Sequence, residues 1–260
     1  MGTVGDRCAG APASVARRLT AVVERWSQSF APRSGALKAF VLGALLVSVM
    51  PDRTWFVGDF ILRQSNVEAR YFPGIYLGAL PLDRFLHLTL LWPLGAGSEV
   101  AANTAARALG AIEAGLLAIL ALRFAGALRV GGALGALAAG IVFFGGYLTM
   151  FTGLGKPASE LCLVVVALAT FGIAALERDA SLAPFGLTMA IALALHRSSV
   201  ILIPAALLIG WRWFALHGRA TWRRPGTWLA VLAPALLAIV MAPRIASVAS
   251  LRLVASSPDT

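Results

Sequence analysis

The chain reads as an all-α polytopic membrane protein with about seven transmembrane helices and a long first external loop carrying interfacial helices. Three observations predict this class. Of its 260 residues 59% are hydrophobic and only 13% charged, mean hydropathy is +0.81, and apolar runs near the roughly 20 residues a span requires recur along most of the length. A chain so divided leaves almost nothing for a folded aqueous domain, which excludes most soluble enzyme classes. The charge balance of +10 first reports orientation, through Lys and Arg on cytoplasmic loops, and requires no nucleic-acid partner. Cys8 and Cys162 are too few and too far apart for a disulfide framework or a CxxC metal site.

Residues 1–34 form a basic arm. Val15, Leu19, Val22, Trp26 and Phe30 recur at helical spacing while Arg17, Arg18 and Arg25 take other faces, the pattern of a helix lying in an anionic interface or of a signal that holds the N-terminus in the cytoplasm. A transmembrane domain over 35–250 and a tail over 251–260 complete the expected organisation. The apolar runs expected to span are about 35–50, 101–122, 130–150, 159–176, 182–196, 199–215 and 227–243. Segment 51–100 holds four Arg and five acidic residues, and its most apolar piece is interrupted by Pro81-Leu82-Asp83-Arg84 and His87. A charge at the bilayer centre costs at least about 2.5–3.5 kcal/mol, so this segment is expected to stay outside as one loop with interface-lying helices.

The arginines agree with that topology. With the N-terminus inside, Arg123, Arg129, Arg212, Arg219, Arg223 and Arg224 fall on the cytoplasmic side, and Lys156 and the 196–198 turn fall outside. The joint at 182–215 requires two short helices meeting near His196-Arg197-Ser198-Ser199. Ala106, Gly110, Ala114 and Ala118, and likewise Gly131, Gly135 and Ala139, recur every four residues, a spacing that lets helix backbones approach closely in lipid.

Chemistry has few places to sit. There is no HExxH, Walker loop or GxSxG. Asp52 and Asp59 follow the first span, and Asp59 is flanked by Trp55, Phe56, Gly58 and Phe60, so that partial burial suits it to general-base work; pairing with Arg53 or Arg63 is the plainer alternative. On the same outer face, Gly153-Leu154-Gly155-Lys156-Pro157 precedes a span, where free N–H groups and Lys156 suit a phosphate, or where Lys156 only snorkels. Arg197 is suited to hold a phosphate, and His196 to relay a proton or help hold a metal, unless both only end a short helix. Asp83 and His87 stand at i, i+4, either a ligand pair or, as favoured, the wet side of an interfacial helix. Glu160 is expected to favour its helix N-terminus electrostatically. Glu113 lies mid-span after Asn103 and Arg107, as a functional intramembrane acid or as a partner of Arg107.

Taken together, Val57-Gly58-Asp59-Phe60, the interrupted Pro81–His87 stretch and the external Gly155-Lys156-Pro157-Ala158-Ser159-Glu160 give a layout over about residues 35–215 that resembles the N-terminal half of the GT-C superfamily, the integral-membrane glycosyltransferases that use polyprenyl-phosphate sugars. The chain departs from that family's pattern in lacking paired acids, since Asp59 is followed by Phe60. The resemblance implies an inner or plasma-membrane protein, N-terminus cytoplasmic, that takes a polyprenyl-phosphate-linked sugar from the membrane at the outer face. Asp59 would be the base that activates the acceptor, with Lys156 and Arg197 near the lipid phosphate and His196 and Asp52 beside the substrate. No metal ligand set and no cofactor is fixed, which leaves a divalent metal open, as it does a second membrane subunit. Two rivals stand beside this expectation: a transporter or flippase subunit, with Glu113, Arg107 and His196 lining a path, and a non-catalytic subunit whose polar groups satisfy one another.

Overall fold

The computed structural model describes residues 34–51, 81–145, 148–152, 158–178, 180–223 and 225–255, and the side chains of all of these but 34, 219, 220 and 244–255. Every regular element among them is helical: α1 (Ser34–Val49), a broken helix α2, α3 (Glu99–Ala127), α4 (Gly132–Phe143), α5 (Ala158–Glu177), α6 (Ala183–Leu195), α7 (Ile203–His217) and α8 (Pro225–Ala255). Helix α2 consists of an α-turn at Pro81–Arg84, a π-helical turn at Phe85–Leu90 and a second α-turn at Trp92–Gly95.

Four stretches are long and apolar enough to cross a membrane: Glu99–Ala127, Ala158–Glu177, Arg197–His217 and Pro225–Pro243. Helices α1, α4 and α6 are apolar but shorter, at 16, 12 and 13 residues, or about 24, 18 and 20 Å at about 1.5 Å per residue. Each of these helices falls on one of the seven predicted apolar runs, with different ends. Helix α3 begins earlier, at Glu99, because Ser98 Oγ accepts from the N–H of Ala101 at 3.1 Å and caps it. The run predicted over 130–150 is not one helix: α4 stops at Phe143, and a separate 3₁₀ turn forms at Leu148–Phe151. At the 182–215 joint the expected pair of short helices is half right. His196 is extended and its Nδ1 accepts from the N–H of Ser198 at 3.2 Å, which starts a 3₁₀ turn at Arg197–Leu202 that runs directly into α7.

Helix α3 is the hub. It packs against α1, α2, α4 and α5, while α5 packs on α6 and α6 on α8. Lipid supplies no hydrophobic drive between spans, so close backbone approach must do the work, and the small-residue stripe on α3 provides it. A Cβ at Gly110 would collide with the backbone carbonyl of Phe151, and one at Gly43 of α1 would come within 2.7 Å of the carbonyl of Ala114. Helices α3 and α5 run parallel. Their lower ends are tied by two reciprocal arginine contacts, Arg129 donating to the carbonyl of Glu177 and Arg178 to that of Gly126.

Helix α2 lies across the other, upper end. Leu88 and Leu91 pack on Ala102 and Ala105 of α3, and Leu82 and Leu86 pack in the cluster that contains Val164 of α5 and Leu195 of α6. The α2 helix therefore bridges three helices, α3, α5 and α6, with its polar residues pointed between them.

Candidate functional site

Between those two apolar footings, α2 buries the pair that the sequence favoured as a wet face. Asp83 is 1% exposed and His87 3%; they point into the bundle because the apolar flanks on both sides of them are what pack. The i, i+4 spacing survives the π turn, with His87 Nδ1 3.0 Å from Asp83 Oδ1. On its other side His87 Nε2 lies 2.9 Å from Glu160 Oε1 at the head of α5. That contact is an ion pair between two buried side chains. Glu160 Oε2 accepts from Ser159 Oγ at 3.0 Å. Glu113, from the middle of α3, meets Ser159 and Glu160 with its own side chain. Glu113, Ser159 and Glu160 are all buried.

The result is a buried cluster of three carboxylic acids, one imidazole and one hydroxyl drawn from α2, α3 and α5. Burial opposes a charge on His87, but hydrogen bonding to Asp83 and the closeness of Glu160 outweigh it and push the imidazole from 6.5 up to about 10. His87 is thus a fixed cation between two acids. With one ring nitrogen on each acid, the imidazole is placed as a pin between α2 and α5. Among the described residues no group of three or more His, Cys, Asp and Glu is disposed to hold a metal ion.

Arg107 does not pair with Glu113. Its guanidinium donates to the carbonyls of Met50 at 2.8 Å and Ser48 at 3.3 Å, where a cation suits the C-terminal end of α1. Gly110, one turn further, receives Phe151, and Glu113 receives the head of α5. Arg107, Gly110 and Glu113 are spaced by three residues and share one face of α3. That face gathers the end of α1, the 148–152 turn and the start of α5. These are three of the four ends that flank the two segments carrying the sequence-predicted Asp52, Asp59 and Lys156, and α2 supplies the fourth. Asp52, Asp59 and Lys156 themselves lie outside the described residues, as does the basic arm over 1–33.

His196 and Arg197 are on the same end but do not join the cluster. Arg197 is exposed, and His196 caps its own 3₁₀ turn. Two residues on, the Ser199 hydroxyl is buried with no hydrogen-bond partner among the described residues. Sequence reasoning undervalued Glu160 and missed Ser159. The signal was present in Asp83 and His87, an acid and an imidazole one turn apart with leucines on either side.

No protein-family model matches the sequence, and neither a curated protein nor a solved structure matches it.

Proposed function

We propose that the chain is a seven-span membrane protein of the GT-C kind, a glycosyltransferase that takes a sugar from a polyprenyl-phosphate carrier at the outer face of the inner or plasma membrane. The observation that carries this reading is the α3 face of Arg107, Gly110 and Glu113, with α2 pinned beside it. The segment after α1, which holds Asp59, and the segment before α5, which holds Lys156, begin and end on the same small area at the upper end of the bundle. The described ends of the two segments meet there, which supports reading the acid of one and the cation of the other as a working pair of the kind inverting displacement needs.

In that reaction the Asp59 carboxylate accepts the proton of the acceptor hydroxyl as its oxygen attacks the anomeric carbon. The bond from that carbon to the phosphate oxygen breaks, and Lys156 and Arg197 take up the charge that develops on the leaving phosphate. His87, Asp83 and Glu160 hold the platform and take no part in proton transfer.

The transporter alternative is weakened because its three path residues are occupied apart from one another: Arg107 by the α1 carbonyls, Glu113 by the head of α5, and His196 by its own turn. Transfer from polyprenyl-phosphate sugars in vesicles tests the proposal. Asp59→Asn lowers turnover by about 10²–10⁴ at unchanged protein abundance, and Glu113→Gln leaves most of it. Equal loss from both, tracking abundance alone, contradicts the proposal in favour of a structural subunit.

A further inference from the structure

Away from the upper cluster, α6, α7 and α8 together line an apolar groove of about 520 Å³. Phe185, Gly186 and Met189 of α6 form its floor, and Gly210 of α7 and Val231 of α8 are among its walls. The lower mouth is aromatic. Phe214 and Trp222 stack with ring centres 4.6 Å apart, Trp228 leans on Trp222 at 5.2 Å, and Trp211 at the mouth is 67% exposed.

Charge decides what such a groove takes. Arg212 directly follows Trp211 and Arg223 directly follows Trp222; both are exposed, and neither makes an ion pair among the described residues. The sequence places Arg219 and Arg224 on the same stretch, and from residue 180 to residue 258 there is no Asp or Glu at all. Exposed arginines, each next in sequence to a tryptophan that lines an apolar slot, on a stretch whose four arginines outnumber the Glu177 and Asp179 that precede α6, complement an amphiphile that has an anionic head and a hydrocarbon tail. Arginine at a membrane surface favours acidic lipid by about fivefold per residue. The tryptophans at the mouth sit where amphipathic rings mark the boundary between headgroups and hydrocarbon.

We infer that the lower half of this groove is a binding site for an acidic phospholipid of the leaflet facing that end, with its acyl chain along Phe185, Gly186 and Gly210 and its phosphate at Arg212 and Arg223. The site is independent of the transferase reading, because neither residues nor reactants are shared.

Tryptophan quenching by brominated acyl chains tests it on the full chain in vesicles of phosphatidylcholine containing either brominated phosphatidylglycerol or brominated phosphatidylcholine at equal mole fraction. The expected result is quenching at about five- to thirtyfold less of the acidic lipid, with that preference lost in Trp211→Phe/Trp222→Phe/Trp228→Phe. In Arg212→Gln/Arg223→Gln, two exposed substitutions, the two lipids quench alike. Gly210 has open space where a side chain would project, so Gly210→Leu fills the groove without a clash and lowers quenching by both lipids. Equal quenching by both lipids in the unaltered chain overturns the inference and leaves an unselective hydrocarbon surface. A preference that persists without the two arginines overturns it as well, and so does the absence of quenching by any lipid, which puts a second copy of the chain on the groove.

Discussion

The two ends of the helical bundle handle charge in opposite ways. At the upper end Asp83, His87, Glu113 and Glu160 are buried, and each is in contact with another member of the cluster. At the lower end Arg129 and Arg178 are exposed and, among the described residues, reach backbone carbonyls, while Arg212 and Arg223 make no ion pair among the described residues. The difference follows from solvation. A charge removed from water must be paired and hydrogen-bonded or it costs several kcal/mol, whereas a charge among headgroups is already solvated. The upper end is accordingly a joint, in which one imidazole holds α2 down on three helices. The lower end leaves these arginines exposed.

If the upper joint is a buried ion pair, removing its centre must have the largest effect. His87→Ala leaves Asp83 and Glu160 facing each other with no cation and costs about 3–5 kcal/mol, read as unfolding at lower denaturing detergent in mixed micelles. An effect under about 1 kcal/mol would place the pair in contact with water and erase the contrast with the lower end.

The same joint sets a pH dependence. His87 titrates at about 10 in the fold against 6.5 ordinarily, so its stabilisation is fully present below 6.5, declines as pH rises through that interval, and is gone above about 10. Stability in detergent micelles should therefore fall across this window in the unaltered chain, with the corresponding decline missing in His87→Gln. The smallest effect belongs to the lower end: Arg178→Gln, at an exposed side chain, shifts stability by no more than about 0.5 kcal/mol, measured in the same titration. A larger loss there would make the lower end a second joint.

The helices were largely legible because they are written as apolar runs, and the small-residue stripe Gly110, Ala114, Ala118 correctly marked the face where α1 and the 148–152 turn approach α3. Helix ends were less legible, since the cap at Ser98 and the break after Phe143 depend on single residues. The cluster was half visible. Asp83, His87 and Glu113 stood out as polar groups in apolar surroundings, but their partners come from different helices, and no local pattern says that Glu160 faces His87 or that Arg107 turns to α1. Spacing within one helix can be read from sequence, whereas contact between helices depends on how the fold brings distant segments together.

The central claim is that the upper end, where the described residues flanking the Asp59 and Lys156 segments meet, is the external face and the arginine-rich end is cytoplasmic. Labelling intact cells with a membrane-impermeant thiol reagent tests it most directly, using single cysteines placed by Ser65→Cys, Gly155→Cys and Gly218→Cys in a chain whose Cys8 and Cys162 are replaced. The account predicts labelling at 65 and 155 and none at 218. Labelling at 218 would invert every segment after the first external loop, separate Asp59 from Lys156 across the membrane and contradict the transferase reading.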